Sequence, residues 1–518
     1  MSEPVFIGCD MGTTVTKAAV VDLAGRIVAE CAEETRLVTP RPGWVEQDLL
    51  DIEAVAHRTI AAAVAASGRR DDIAGVSFSS QMSGIGTIDD AFEPATPFDS
   101  WLDSRCADYV EAMSEHGRRV TELSGCPPTY SHGPKILWWR DERPDDYRRI
   151  ARFVVPGSFV AARLAGLSAA EAFVDRTYLC FSNLSDTERS RWSPELLEAF
   201  GIDEGVLPRI VDPLDVVGEV TPAASRATGI PAGVPVAAGG GDQTVACLGA
   251  GLVSPGQASD SAGTASLFSM CVDRFAPDVE HQTVIASHSI VPGCFISFAF
   301  VNGGGLAMPW FRDRIACDLG EGPEAYEQLE ELAAAVAPGA GGLLWLPHLA
   351  GGVLPPRPHL RGAWFGLTPG HTRGHLYRAI LEGIAMVYAD WAQYAPALFG
   401  GGGLREVRAF GGGSRSPLWN AIKADVLGVP WSTMPRSECG MLGNALIAAT
   451  ATGHVSDPAA TIAEWQPLGP AVEPDPERHE RYRALLQVHR DLAARTGPVF
   501  VALHDLEQRT GVAAGVSG

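Results

Sequence analysis

The chain has 518 residues, 46% hydrophobic and 20% charged, the balance of a soluble globular protein rather than a disordered one. Lys and Arg total 40 against 62 Asp and Glu, a net charge of −22. A surface that negative repels nucleic acid and anionic membranes, so neither is an expected partner, and an anionic ligand must be held by a local device.

At about 100–200 residues per domain, this length predicts roughly two to four domains. No apolar run approaches a membrane span, and Met1–Gly8 lacks the basic and apolar regions of a leader. The ten cysteines are scattered with no Cys-x-x-Cys pair, which speaks against zinc and disulfide frameworks. A reduced, cytoplasmic setting is expected.

In chain order, Val5–Gly8 reads as a short strand, Asp10–Lys17 as a polar turn, and Ala18–Asp22 as the returning strand, followed by Arg26–Glu30. Ile52–Ala66 reads as an alanine-rich helix ending at Gly68, and Ile73–Ser79 as a buried strand. A second glycine-rich strand and turn begins near Val234, and another at Asp260–Ser266. His375–Leu398 carries Leu376, Ile380, Ile384, Val387 and Trp391 at helical spacing. Ser416–Leu427 has the signature of a capped helix, with Pro417 at its start and Gly428 past its end. Asp475–Arg495 reads as a charged terminal helix with Asp475 as cap, and the last ten residues as frayed. Strands alternating with helices predict an α/β architecture of two lobes facing one cleft, divided as residues 1–245 and 246–518.

Three glycine-rich segments are candidates for chemistry. In Asp10-Met-Gly12-Thr13-Thr14-Val-Thr16-Lys17, Gly12 lets backbone amides approach a ligand, and hydroxyls plus an ammonium supply donors for a triphosphate. Asp10 beside them suits a hydrated Mg²⁺; the plain alternative is a hairpin turn. In Gly239-Gly240-Gly241-Asp242-Gln243 the glycines leave bare backbone, and Asp242 suits either a general base or a helix N-cap. In Phe410-Gly411-Gly412-Gly413-Ser414 the glycines precede the Ser416 helix, whose N-terminus suits an anion or a flat ring; a flexible connector is the other reading. Ser437–Leu446 is rich in small residues and reads chiefly as close helix packing.

The order of these segments resembles the carbohydrate kinases named for a Phe-Gly-Gly-Tyr signature, over about residues 4–455. Tyr130-Ser-His-Gly-Pro-Lys135-Ile-Leu-Trp138-Trp-Arg-Asp-Glu142 is similar to the family's first signature, with His132 where Pro, Ser or Thr is usual. Gly362-Ala-Trp-Phe-Gly366-Leu, seven residues, then His375–Glu382 fits the second. The resemblance implies an actin/hexokinase-like (ribonuclease H-like) pair of α/β domains around an interdomain cleft, with ATP and Mg²⁺ as cofactors and a small sugar or polyol as substrate. It implies Asp242 as the catalytic base, Gln243 as a substrate contact and Asp10 near the metal. It implies Gly12, Thr13, Thr14 and Lys17 as the first phosphate loop. It implies Gly263 and Thr264 as the second, with Gly305, Gly412, Gly413 and Ser416 toward the nucleotide. A homodimer is a family-level expectation only.

Ser79-Ser-Gln81-Met82-Ser83-Gly84 and Trp101-Leu-Asp103-Ser-Arg105 resemble sugar-contacting segments of xylulose kinases, and Tyr130 matches a substrate-side tyrosine of glycerol kinases. Packing in the core is the plain reading of Trp101 and Tyr130. Ser83 replaces a histidine, Leu102 an asparagine, and the Glu-Arg expected after Gly351 is gone. D-xylulose is the first expectation; erythritol, gluconate, ribulose or glycerol is the alternative. An actin-like ATP-dependent scaffold or chaperone would share the phosphate turns without needing Gly-Asp-Gln. A dinucleotide-binding oxidoreductase would need Gly-x-Gly-x-x-Gly leading into a helix, and Asp10–Lys17 leads into a strand.

Overall fold

Val5–Met11 pairs antiparallel with Val15–Asp22, which pairs antiparallel with Ile27–Glu34. The computed structural model describes residues 3–263, 266–393 and 403–510. The expected hairpin is present, but its strands run further than their apolar stretches. Asp10 and Lys17 are register partners inside the ladder, and the turn shrinks to the residues around Gly12–Thr14, where Gly12 N–H donates to the Val15 carbonyl. A ladder continues wherever backbone groups pair, whatever the polarity of the side chains.

The chain divides into two compact units with interleaved segments. The first comprises Met1–Pro255, Cys271–Ser297 and Arg436–Pro467; the second comprises Gly256–Met270, Phe298–Pro435 and Leu468–Gly518. This differs from a single cut after residue 245, because the helix Cys439–Ala451 buries its small-residue face in the first unit.

In the first unit the main sheet runs in the order Val216–Glu219, Pro235–Ala237, Ile73–Ser80, Val5–Met11, Val15–Asp22, Ile27–Glu34, and Gly240–Gly241 also pairs with Ile73–Ser80. Val5–Met11 and Gly240–Gly241 both lie parallel to Ile73–Ser80. Alternation splits the first strand between two cores. Val5, Ile7 and Cys9 pack with Ile60, Phe78 and Phe159, whereas Phe6 packs with Val245, Leu248, Leu442 and Leu446. The helix Leu49–Ser67 starts at Asp48, whose Oδ1 accepts Leu50 N–H at 2.8 Å, and stops at Gly68 in the left-handed region.

Small residues around Cys439–Ala451 let backbones meet directly. A Cβ on Gly8 would lie 2.1 Å from the Met441 carbonyl oxygen, one on Gly443 2.2 Å from that of Val245, and one on Gly249 1.9 Å from that of Cys439. The packing role expected for this segment is the one it has.

In the second unit Gln257–Ala262 pairs antiparallel with Ser266–Val272 and parallel with Glu406–Phe410, which is parallel to Trp431–Thr433. The helix Pro417–Leu427 is capped as expected: Ser416 Oγ accepts Trp419 N–H at 3.0 Å, and Gly428 is left-handed. The helix expected over His375–Leu398 is Arg373–Ala392, and residues 394–400 lie outside the described residues. The terminal helix extends over Pro476–Thr510, with Asp475 accepting Arg478 N–H at 2.8 Å; residues 511–518 lie outside the described residues.

A fully buried ion pair ties the second unit together. Lys423 Nζ lies 2.5 Å from Asp260 Oδ2 and 3.4 Å from the centre of the Trp419 ring, and Tyr388 OH donates to Asp260 Oδ1 at 2.8 Å. All ten cysteines are free thiols, and no described helix is long and apolar enough to cross a membrane.

Candidate active site

The sheet register of the first unit builds the site. Asp10 stands opposite Ser79 on one side of Ile73–Ser80, and Gly240 stands opposite the same Ser79 on the other. Two parallel neighbours of one strand thus deliver Asp10 and the Gly240–Asp242 turn to the same end of the sheet. Open α/β sheets bind ligands at the carboxyl ends of their strands.

Asp10 Oδ1 accepts the Ser79 hydroxyl at 2.6 Å. Asn444 fixes that serine by donating to Ser79 Oγ at 2.7 Å and to the Cys9 carbonyl at 3.1 Å, while accepting from Ser77 Oγ at 3.2 Å. Gly440 leaves the second Asp10 oxygen its space: a Cβ there would lie 2.6 Å from Asp10 Oδ2. Burial raises the Asp10 carboxyl above the ordinary carboxylate range; Ser79 and Lys17 partly oppose this, and Glu438 adds to it.

Asp242 is the first residue of the helix Asp242–Gly249, with Gly241 as its N-cap. It is therefore not the cap itself, which leaves its side chain available. Its Oδ1 accepts the Gln243 N–H at 2.7 Å, and Oδ2 accepts no hydrogen bond among the described residues. Burial pushes its carboxyl up to about 8, with the Asp10 charge as the second cause. The bare backbone before it is required, because a Cβ on Gly241 would lie 2.5 Å from Met82 Cε and one on Gly239 1.9 Å from the Phe78 carbonyl oxygen.

Thr13 joins the first turn to the sugar-side segment: Trp101 Nε1–H donates to Thr13 Oγ1 at 2.8 Å, leaving the Thr13 proton for a ligand. Thr14 is exposed. Lys17 Nζ pairs with Glu438 Oε2 at 2.8 Å, with both side chains partly exposed. The ammonium expected on phosphate is engaged by a carboxylate that the sequence reading assigned to packing.

Gln81 Nε2 donates to Gln47 Oε1 at 2.7 Å, and Gln47 Nε2 donates to the Thr13 carbonyl at 3.1 Å. Met82 is buried, and its carbonyl accepts from His132 Nε2 at 2.8 Å. Burial and Lys135 hold the His132 imidazole down at about 4, so it is neutral. Ser83 Oγ donates to the Tyr130 carbonyl at 3.4 Å. Tyr130 is half-buried against the cluster of Trp138, Trp139 and Met113, the packing its plain reading expected.

Asp103 differs from its expected role at the sugar. Its carboxylate is fully buried, accepting Val45 N–H at 2.7 Å and Arg105 Nη2–H at 2.6 Å, in an ion cluster that includes Glu46 and Asp99. Desolvation makes such a carboxylate dependent on its cation, so Asp103 orders the Ser100–Arg105 turn. Gln243 is buried on its helix, with Nε2 3.8 Å from Cys247 Sγ.

In the second unit the glycine turns gather at one end of the sheet. Ser261 is the register partner of Phe410, so the Gly263 and Gly411–Gly413 turns leave adjacent parallel strands together. A Cβ on Gly411 would lie 3.0 Å from the Ala262 carbonyl oxygen, and one on Gly413 2.5 Å from Ala262 Cβ and 2.6 Å from the Trp419 ring. The turn holding Gly305 joins them, since a Cβ on Gly304 would lie 2.7 Å from Ser266 Oγ. Thr264 lies outside the described residues.

Sequence reading placed Ser79 in a sugar-contacting segment and Glu438, Gly440 and Asn444 in a packing segment, and missed that all four act on Asp10 and Lys17 from far along the chain. A polar Asn444 among small apolar residues was the available signal.

Residues 5–249 match the family model for the N-terminal domain of the FGGY family of carbohydrate kinases, and residues 258–452 match that for its C-terminal domain. Xylulose kinase of Bacillus subtilis is 26% identical, covering 96% of this chain and 98% of its own length. Autoinducer-2 kinase of Klebsiella pneumoniae is 29% identical, covering 93% and 92%. The crystal structure of xylulose kinase from Rhodospirillum rubrum is 27% identical, with a TM-score of 0.86 over 95% of this chain and 99% of that one.

Proposed function

Because the chain belongs to the FGGY family of carbohydrate kinases, we propose that it moves the γ-phosphoryl group of ATP to a hydroxyl of a ketopentose such as D-xylulose, with Asp242 as general base. Its two-unit mixed α/β fold is the sugar-kinase, actin-like one that the sequence resemblance implies. The chain is a phosphotransferase acting on a sugar hydroxyl, and ATP is the donor that the family implies.

One observation carries the base assignment. Asp242 has a raised carboxyl beside bare glycine backbone, with Oδ2 accepting no hydrogen bond among the described residues. As the sugar oxygen attacks phosphorus, Oδ2 takes its proton; phosphoryl transfer otherwise needs positioning and charge stabilisation rather than covalent help. Thr13 Oγ1–H, the Thr13 and Thr14 amides and Lys17 would supply donors to the phosphates. For Lys17 to do so, its pairing with Glu438 must open.

Mg²⁺ fits the same end of the sheet. The Asp10 charge beside Asp242, and Glu438 beside Asp10, favour a neighbouring positive charge, and Gly440 keeps Asp10 Oδ2 clear. Asp10 would hold the ion through its water shell. Bound there, the ion would neutralise charge on the transferred phosphoryl group. In the second unit Gly263, Gly305, Gly412, Gly413 and Ser416 would line the nucleotide site.

The xylulose reading is supported by the xylulose kinases named above, by Gln81 (through Gln47) and Trp101 beside the first turn, and by Met82 against Gly241. Ser83 favours a second reading, in which another polyol or sugar acid is the acceptor: its short hydroxyl already faces the Tyr130 carbonyl. Coupled ADP release across pentuloses, hexuloses, polyols and aldonic acids decides between them. With the best acceptor, Asp242→Ala should lose about 10²–10⁴ in turnover with modest change in ATP affinity. Undiminished turnover would remove Asp242 from the mechanism.

A further inference from the structure

The Asp242 carboxyl makes one hydrogen bond among the described residues, to the amide of its own neighbour. Its aim is therefore set by the backbone of Gly241, and that backbone is held by an element the family signatures do not include. The 3₁₀ helix Arg176–Ser182 begins at Asp175. Asp175 Oδ1 accepts the Thr177 hydroxyl at 2.6 Å and the Thr177 N–H at 2.9 Å. Thr177 Oγ1 in turn accepts the Gly241 N–H at 2.8 Å. From the other side, Thr244 Oγ1 donates to the Gly241 carbonyl at 2.8 Å. The Tyr178 hydroxyl lies 2.9 Å from the Ser80 carbonyl oxygen and 3.3 Å from that of Gly240. Asp175, Thr177 and Tyr178 are all buried.

We propose that Asp175 and Thr177 are positioning residues for phosphoryl transfer, aiming Asp242 by holding the Gly241 amide. The proposal rests on the reading of Asp242 as the base. Glycine is the residue least able to hold its own dihedral angles, yet bare backbone is needed here, so rigidity has to come from outside the turn. A hydroxyl that donates to a buried carboxylate is a stronger acceptor for the next donor, and Thr177 is that relay. Small misplacement of a reacting group costs catalysis steeply, on the order of 10²-fold for 1 Å.

The test is steady-state ADP release with MgATP and whichever of D-xylulose, D-ribulose, erythritol, glycerol and D-gluconate turns over fastest. Thr177→Val should lower kcat roughly 10-fold or more while leaving KM for ATP within about twofold. Thr177→Ser, which keeps the oxygen, should restore kcat. Introduced into Asp242→Asn, Thr177→Val should add no further loss, because both changes act at one step. Asp175→Asn serves as a second variant if Thr177→Val does not give a cooperative melt, and a smaller fall in kcat is expected from it. Wild-type kcat in a folded Thr177→Val or Asp175→Asn protein would overturn the proposal. So would a loss of equal size in the Asp242→Asn background, which would mark a purely structural brace. Wild-type kcat in Asp242→Asn alone is a separate outcome: it removes the base and the aiming role with it.

Discussion

Asp10 and Asp242 flank Ser79: the first is its ladder partner on one side, and the second follows the glycine pair that borders it on the other. Each carboxyl sits high: burial is the main cause in both, with the Glu438 charge adding to it at Asp10 and the Asp10 charge adding to it at Asp242, which reaches about 8. Like-charge pairs of this kind mark sites that handle protons or cations.

This relationship sets a pH dependence. A base must be ionised, so kcat/KM should climb with pH and level off above about 8. Asp10→Asn removes the second cause and leaves burial, so the rising limb should move to lower pH without reaching the ordinary carboxylate range. A pH–rate profile of the variant that overlays the wild type would disprove the coupling.

The same shift is a stability statement. The Asp242 carboxyl is held above its unfolded value, so the native state binds more protons between about pH 4 and 8, and stability is lost as pH rises through that window. Asp242→Asn carries no such loss. Its melting temperature relative to wild type should climb from pH 4 to pH 8 and then stay constant; a difference that does not vary with pH would contradict this.

Lys17 and Glu438 offer a separable test. Glu438→Gln should release the ammonium and lower KM for ATP several-fold, an effect that shrinks in high salt because the pair is partly exposed. Lys17→Ala should raise KM for ATP. If neither moves it, Lys17 does not serve the phosphates.

Gly8→Ala probes the packing of Cys439–Ala451. The new methyl would meet a backbone oxygen at 2.1 Å, and backbone cannot rotate away as a side chain can. Chemical denaturation should report a loss of about 1–3 kcal/mol or more, and a neutral result would mean that the helix shifts freely.

Lys423→Met should destabilise the second unit by about 3–5 kcal/mol, because it strands Asp260 as a buried unpaired charge. Replacing Asp260 by Asn in the same protein should return part of that loss. Additive losses in the double variant would argue against a coupled pair.

Sequence by itself determined much of this protein. Turn glycines, apolar alternation and capped helices located the hairpin, the Gly239–Asp242 turn and the Ser416 helix, because each depends on neighbours within a few residues. Ordered motifs carried the family. Tertiary structure decided what depends on register and distant partners: that Asp10 and Lys17 lie within strands, that Glu438 claims Lys17, that Asp103 is committed to Arg105, and that Asn444 and Thr177 hold the site in place. Glu438, Asn444 and Thr177 lie tens to hundreds of residues from their partners, while the near pair Asp103 and Arg105 owes its burial to the distant elements around it, and a hydrogen bond leaves no periodic trace in a chain. Only the ladder that brings Asp10 and Gly240 to one serine turns two scattered acids into a single electrostatic unit.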